Sequence, residues 1–200
     1  MKLNSSKTQI VVFKTPQNKQ EFNFNIFLGG EEIKIYDSAQ FLGIHIDKNI
    51  NWKPFIELLS NKLNSACFQM FTIRDSIDFS TRMILYYALF FSRIQYGIEC
   101  WGMSSGLGTI FKIQKKYLRF MTFSNYTRSC RPLFRQHKIL TVTSLYIFRC
   151  LLFIKNNESF FCSNQHIHSY ETRNKSTFQY PVQRLSVWKN PAIYWYEIFK

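Results

Sequence analysis

The stretch Phe41-Leu42-Gly43-Ile44-His45-Ile46-Asp47 marks the place where the sequence changes from one kind of structure to another. Before it, short β-branched segments alternate between apolar and polar residues, which is typical of strands. From Trp52 onward the apolar positions recur every three or four residues, which predicts a helix with Pro54 in its first turn. The sequence therefore predicts an α+β fold, in which a small antiparallel sheet is followed by a bundle of helices.

Four segments near the start are predicted to form the sheet: residues 9–13, 22–28, 31–36 and 41–46. The pair Gly29-Gly30 separates the second segment from the third and is a two-residue hairpin signal. We expect the last segment to be one continuous strand with Gly43 inside it. A glycine at that position either lets a phosphate or a base approach the backbone closely or relieves a bulge in the strand.

The helical part is predicted to contain four main helices. They are expected at residues 52–73, at 83–101, from Thr109 onward and at 141–155, with Asp78 or Ser80 capping the second and Thr109 the third. The second is apolar nearly all round, so we expect it to be the buried helix of the bundle. Residues 102–108 are predicted to form a loop, and residues 128–135 a basic turn around Pro132.

These boundaries divide the chain into three predicted units. Residues 1–50 contain the sheet, residues 51–157 the helices, and residues 158–200 a C-terminal segment. The C-terminal part is expected to be irregular up to residue 180 and to end in a helix at residues 185–199, which Pro191 interrupts.

Positive charge is concentrated in the second half of the chain. Residues 1–99 contain 11 Lys/Arg and 9 Asp/Glu, a net charge of +2, whereas residues 100–200 contain 15 and 3, a net charge of +12. Residues 100–157 include no acidic residue at all. Such a field favours a polyanion, above all nucleic acid, although a solvated basic face without a ligand has the same composition.

Seven cations in this acid-free run are the candidate phosphate-binding residues. On the third helix, Ile110, Ile113 and Tyr117 form the predicted inner stripe, so the basic residues of that helix are expected on its outer face. The candidates are Lys112, Lys115, Lys116 and Arg119 on the helix, and Arg128, Arg131 and Arg135 around Pro132.

The cysteines and the apolar runs exclude two other classes. Five cysteines at unequal spacings give neither a disulfide framework nor a zinc pattern, so we expect buried thiols in a reducing, intracellular compartment. The apolar run at residues 83–91 is closed by Arg93 and Glu99 and is too short to span a bilayer. No secretion signal opens the chain, and we expect no membrane partner.

The first motif, Leu3-Asn4-Ser5-Ser6-Lys7-Thr8, and the Phe41–Asp47 stretch together resemble the end of the palm domain in reverse transcriptases of non-LTR retrotransposons, most closely the jockey-like elements. Further along, Trp101-Gly102 and the run Gln114-Lys115-Lys116 are similar to the thumb and post-thumb region of that family. The resemblance implies that the sheet is the end of a palm and that the helices form a thumb.

The same resemblance implies roles for particular residues. Phe41, Leu42 and Gly43 match the primer grip, the palm-to-thumb strand on which the primer end lies. Lys7 matches a lysine near the incoming nucleotide, where an ammonium group assists the leaving pyrophosphate. The partner implied for the basic helices is a template–primer of RNA or an RNA–DNA hybrid, held through its phosphates.

The residues for two-metal catalysis are not found in this sequence. The four aspartates, at positions 37, 47, 75 and 78, include no adjacent pair, whereas nucleotide transfer by two metal ions needs clustered carboxylates. Cys162, His166 and His168 do not complete a tetrahedral zinc set. We therefore predict no metal site, no cofactor and no polymerase activity for this chain alone. In the family, Mg²⁺ is held by an Ala-Asp-Asp box, which we expect in an N-terminal polymerase portion before Met1.

Three functions remain as hypotheses. The first is a fragment of an RNA-directed DNA polymerase, present in the nucleus and cytoplasm as expected for a retroelement protein. The second is a non-catalytic nucleic-acid-binding remnant or recruited module. The third is a helical interaction protein whose charge contacts acidic partners or membrane surfaces, and salt-sensitive preference for an RNA–DNA hybrid over anionic vesicles would count against it.

Overall fold

The computed structural model describes residues 4, 7–18, 25–161 and 173. Within these residues, two small antiparallel two-stranded sheets precede a series of helices, which confirms the predicted α+β class. The first sheet pairs β1 (Ile26–Leu28) with β2 (Glu31–Ile33), and the second pairs β3 (Ser38–Phe41) with β4 (Ile44–Asp47).

The hairpin predicted at Gly29-Gly30 is present. Both glycines have positive φ, 63° and 89°, as the central residues of a type I′ turn require, and Leu28 pairs with Glu31 across it. The segment predicted at residues 9–13 is not a strand, because only Ile10 forms a bridge, to Ile35. The segment therefore borders the hairpin without extending its ladder.

The continuous strand predicted at residues 41–46 is wrong. The chain reverses at Leu42 and Gly43, whose φ values are 48° and 80°, and Phe41 pairs with Ile44 on the other side of the turn. Gly43 is suited to this position because a residue without Cβ adopts positive φ at little cost. A leucine at positive φ is rare, so Leu42 did not signal a turn in the sequence.

The described helices are α1 (Lys53–Ile73), α2 (Phe79–Leu85), α3 (Ser92–Gln95), α4 (Ile98–Trp101), α5 (Leu107–Thr122), α6 (Arg131–Gln136) and α7 (Val142–Asn156). The first predicted helix is confirmed as α1, with Pro54 in its first turn. Asp78 caps α2, as one of the two predicted alternatives, by accepting hydrogen bonds from the backbone N–H groups of Ser80 and Thr81. A further hydrogen bond from the Thr81 hydroxyl, together with these two backbone bonds, lowers the pKa of the Asp78 carboxyl.

The single buried helix predicted at residues 83–101 is wrong. This stretch contains the end of α2, a π-helical segment at Tyr86–Phe91, α3 and α4. Gly97 lies between α3 and α4 and has a φ of 59°. A Cβ at that position would lie 2.5 Å from Cδ1 of Ile44 in β4. The helical conformation is interrupted at Gly97, where Ile44 of the second hairpin packs against the backbone. Uniform apolarity hid the break, since a segment with no polar face has no periodicity to interrupt.

Two further helix boundaries differ from the prediction. The third long helix, α5, begins at Leu107 after Gly106, so Thr109 lies inside it and does not cap it. Residues 131–136 form the short helix α6 with Pro132 in its first turn, where a basic turn was expected. The fourth predicted helix is confirmed as α7, and the Thr141 side chain caps it by accepting from the backbone N–H of Ser144.

The core lies where α1, the π-helical segment, α5 and α7 meet. Its largest fully buried side chains are aromatic and include Trp101, Tyr86, Tyr117 and Phe90. The indole N–H of Trp101 donates to the backbone carbonyl of Tyr96 at 3.0 Å, so this ring is buried with its polar group satisfied. Burial of each such ring contributes about 1.5–3 kcal/mol to folding.

The cysteines fit the predicted buried thiols with one exception. Cys67, Cys130 and Cys150 are free and buried, but Cys100 is exposed, and Cys162 lies outside the described residues. Burial raises the pKa of the Cys67 thiol to about 12, so it remains protonated at neutral pH.

Most of the predicted C-terminal segment also falls outside the description. Residues 158–160 form a 3₁₀ turn after α7, whereas the helix predicted at residues 185–199 lies beyond the residues described. In the part of the chain that the structure covers, no helix has both the length and the apolarity needed to cross a membrane.

Two glycine substitutions test the break that admits the hairpin. Gly97→Ala places a side chain at positive φ and against Ile44, and we expect a loss of about 1–3 kcal/mol in the free energy of unfolding. Gly108→Ala is the matched control, because it lies in α5 with open space around its Cβ and should stabilise by ~0.5 kcal/mol. Urea denaturation measures both. Equal stability of the two variants would contradict the packing of the hairpin at Gly97.

Candidate nucleic-acid interface

A groove of about 900 Å³ lies between α5, the loop at residues 123–130, α6 and the segment at residues 138–144, and we call it the basic groove. Six cations line it: Lys115, Arg119, Arg128, Arg131, Arg135 and Lys138. Among the residues that the structure describes, no Asp or Glu lines it. The arrangement is therefore a concave, positively charged surface suited to a polyanion.

Five of the seven predicted phosphate-binding residues meet in the basic groove, but Lys112 and Lys116 do not line it. Lys115 extends over the ring of Phe111, with its Nζ 4.7 Å from the ring centroid, whereas Lys116 lies over Phe120 at 5.8 Å. At about 100° of rotation per residue, the four cations of α5 lie within one arc of about 100°. Lys115 and Arg119 occupy the side of this arc that lines the basic groove.

Lys138 lines the basic groove although it was not among the predicted site residues. It lies in the connection between α6 and α7, at φ of 54°, where its backbone N–H donates to the carbonyl of Arg135. Its location in the acid-free stretch at residues 100–157 was the sequence feature that could have identified it as a groove residue. Its position beside Arg135 depends on the tight turn after α6, which the sequence pattern did not indicate.

Arg119 connects α5 to the loop on the other side of the basic groove. One terminal guanidinium nitrogen, Nη2, donates to the backbone carbonyl of Arg128 at 3.2 Å. The guanidinium carbon also lies 4.8 Å from the ring centroid of Tyr126. The Nε–H is buried and has no hydrogen-bond partner within the described part of the chain. Arg119 therefore orders the loop and brings an unused donor to this region.

The wall formed by residues 140–142 is held in place by one buried amide, that of Gln114 on α5. Its Nε2 donates to the hydroxyl of Tyr86 at 3.0 Å and to the carbonyl of Leu140 at 2.9 Å. Its Oε1 accepts from the backbone N–H of Val142 at 2.9 Å. Gln114 is 0% exposed, so these bonds satisfy a polar group within the core. We call this arrangement the Gln114 clamp.

The N-terminus of α7 opens on the basic groove. Thr141 and Ser144, from the first turn of this 15-residue helix, both line it. Backbone N–H groups at a helix N-terminus carry partial positive charge, which adds to the field of the six cations. The end of α7 thus reinforces the electrostatic character that the basic side chains establish.

The residues that resemble a primer grip lie elsewhere. Phe41 and Leu42 are 65% and 73% exposed at the tip of the second hairpin, and the Tyr96 hydroxyl donates to the Leu42 carbonyl. Gly43 adopts positive φ at this tip. A Cβ there would have no neighbour within 4 Å, so no other part of the described chain packs closely against this glycine. Gly43 instead borders a separate pocket of about 300 Å³ with Lys62 and Arg93.

Lys7, the predicted leaving-group lysine, is exposed in a short turn near the start of the chain. Its backbone N–H donates to the carbonyl of Asn4 at 3.2 Å. Lys7 lines neither the basic groove nor the pocket beside Gly43. Lys7, the residues that resemble a primer grip and the cations of the basic groove therefore do not share one pocket.

The aspartates do not fit a two-metal site. Each makes local contacts: Asp37 binds Lys48 at 2.8 Å, Asp75 lies 3.9 Å from Arg74, and Asp78 caps α2. The buried carboxylate of Asp47 accepts from the backbone N–H groups of residues 49, 51 and 52 and so holds the turn that leads from β4 to α1. Within the described part of the chain, no cluster of three His, Cys, Asp or Glu has a metal-binding arrangement. The zinc alternative at Cys162, His166 and His168 lies outside the described residues.

Comparison with known proteins identifies no relative of this chain. No protein-family model, curated protein or solved structure matches the chain. The resemblance to non-LTR reverse transcriptases accordingly rests on the sequence motifs, and the basic groove rests on the geometry described above.

Replacement of Gln114 tests the clamp that supports the groove wall. Gln114→Met keeps the side-chain length but leaves the Leu140 carbonyl and the Val142 N–H without this partner, so we expect a loss of about 2–5 kcal/mol in the free energy of unfolding. Gln136→Met, at an exposed position of α6, should change it by less than about 0.5 kcal/mol. Denaturant titration of both variants provides the measurement. A loss for Gln114→Met no larger than that of the control would contradict the clamp.

Proposed function

We propose that this chain binds the sugar–phosphate backbone of a nucleic acid in the basic groove. The observation that supports the proposal is the convergence of six cations around about 900 Å³ with no acidic residue among the described lining residues. Phosphate contacts from Lys and Arg release condensed counterions, which gives affinity without base specificity. The proposed activity is therefore binding and positioning of a strand.

The nucleic acid that fits the sequence best is a template–primer of RNA or an RNA–DNA hybrid. The support is the resemblance of residues 3–8 and 41–47 to the palm end of a non-LTR reverse transcriptase, followed by basic helices in the position of a thumb. In this proposal the aspartates that hold Mg²⁺ belong to polypeptide outside residues 1–200. The chain positions the substrate of an RNA-directed DNA polymerase, in the nucleus or cytoplasm, and does not itself transfer nucleotides.

A second candidate function is nucleic-acid binding without any catalytic partner. The local contacts of Asp37, Asp47, Asp75 and Asp78 agree with both candidates, because neither candidate uses these carboxylates to hold metal. Both candidates use the same basic groove. They differ in whether the chain acts together with a polypeptide that holds the catalytic metal ions. Primer extension after addition of a catalytic polymerase portion separates them, since only the first candidate gains activity.

Two pairs of substitutions with equal charge change test the groove. Arg131→Gln with Arg135→Gln removes two exposed groove cations that make no described side-chain hydrogen bond, and Lys112→Gln with Lys116→Gln removes two cations of α5 outside the groove. Fluorescence anisotropy with an RNA–DNA hybrid, from ~50 to 200 mM salt, gives the slope of log affinity against log salt. We expect the two arginine substitutions to reduce the magnitude of this slope by about 1.5, and the two lysine substitutions to reduce it by less than ~0.5.

Three results would contradict the proposed function. One is binding by the wild-type chain that does not depend on salt. Another is an equal reduction of the slope by both pairs, which would mean that overall charge, and not the groove, determines affinity. The third is tighter binding to anionic lipid vesicles than to the hybrid, which would favour a helical interaction protein at a membrane surface.

A further inference from the structure

Tyr126 is an exposed aromatic residue beside the basic groove. It lies in the loop between α5 and α6, two residues before Arg128, and is 78% exposed. The Arg119 guanidinium covers one side of the ring, with its carbon 4.8 Å from the ring centroid. Because the same guanidinium donates to the Arg128 carbonyl, Arg119 fixes both the ring and the backbone next to it. The side of the ring away from Arg119 is open to solvent.

A second aromatic residue in this loop is used differently. Phe123 is also exposed, but two guanidinium groups already lie over its ring, Arg74 at 4.9 Å and Arg82 at 4.7 Å. Arg82 in turn donates to the carbonyl of Met121, at the end of α5. The Phe123 ring is thus part of the packing that ends the helix. Among the residues that the structure describes, Tyr126 has one guanidinium partner, Arg119, and its ring is accessible beside groove cations.

We propose that Tyr126 is a stacking position for an unpaired base whose flanking phosphates lie in the basic groove. Base–aromatic stacking is insensitive to base identity, since every base has a π-face, and single strands are bound by such rings next to cationic grooves. Paired bases are already stacked on their neighbours within a duplex and do not expose a face to the ring. The preferred ligand is therefore single-stranded.

The size of the basic groove agrees with a single strand. A volume of about 900 Å³ is within the range of clefts that hold one small organic ligand, so the groove has room for a few nucleotides of one strand. The inference rests on the proposed function and makes it more specific. Within a template–primer, Tyr126 contacts the unpaired part of the strand, and the groove cations hold the phosphates on either side.

Binding measurements with three ligands test the stacking position. The ligands are a short single-stranded RNA, a blunt RNA duplex of the same length, and inorganic polyphosphate, which has charge but no bases. The variants are Tyr126→Ala, Tyr126→Phe, and Phe160→Ala as a control at an aromatic residue that is 80% exposed outside the groove. Circular dichroism checks that each variant is folded, which we expect because these side chains are exposed.

Tyr126→Ala should weaken binding of the single-stranded RNA by about tenfold or more, and binding of the duplex and of polyphosphate by less than about twofold. Tyr126→Phe and Phe160→Ala should bind all three ligands as the wild type does. An unchanged affinity of Tyr126→Ala for single-stranded RNA would overturn the stacking position. An equal loss for polyphosphate would also overturn it, since the ring would then act only by orienting Arg119. If the wild type bound none of the three ligands, the proposed function itself would fail.

Discussion

The hydrogen bonds of the Gln114 amide hold one wall of the basic groove against α5. Gln114 lies on the buried side of α5. Its amide binds the backbone of Leu140 and of Val142, where α7 begins, and also the hydroxyl of Tyr86. A buried amide is costly unless it is satisfied, so these bonds favour one arrangement of the connection over alternatives that leave polar groups unpaired. With that connection fixed, the cations of α5 and α6 face each other across a defined space. Burial also raises the pKa of the Tyr86 hydroxyl, which keeps this acceptor neutral.

The groove brings together like charges that repel each other, and the surrounding fold makes this possible. Lys115 and Arg119 lie against the rings of Phe111 and Tyr126, where cation–π attraction offsets part of the repulsion. Water and salt screen the exposed cations over about 8 Å at physiological ionic strength. The aromatic core under the groove keeps the helices in place despite the remaining repulsion. An anionic ligand removes that repulsion, so binding and stability are coupled in this region.

Sequence reasoning recovered the features of this fold that depend on local patterns. Periodicity located α1, a strongly apolar run located α7, and Gly29-Gly30 located the first hairpin, because each of these signals lies within a short stretch of the chain. It missed the turn at Leu42, where a bulky residue adopts positive φ, and the break at Gly97, where packing against Ile44 determines the backbone. Charge in the sequence identified most of the site but not its geometry. The separation of Lys115 from Lys116 and the inclusion of Lys138 arise from the rotation of α5 and the turn after α6, which are properties of the folded chain.

Photo-crosslinking to an RNA that carries 4-thiouridine would show most directly where the wild-type chain binds nucleic acid, with the attached peptides identified by mass spectrometry. We expect crosslinks within residues 111–144, with Tyr126 among the modified residues, and their loss at high salt. Crosslinks concentrated at the tip of the second hairpin and around Lys62 and Arg93 would contradict this expectation. That result would place the nucleic acid at the pocket beside Gly43 and leave the basic groove as a solvated surface.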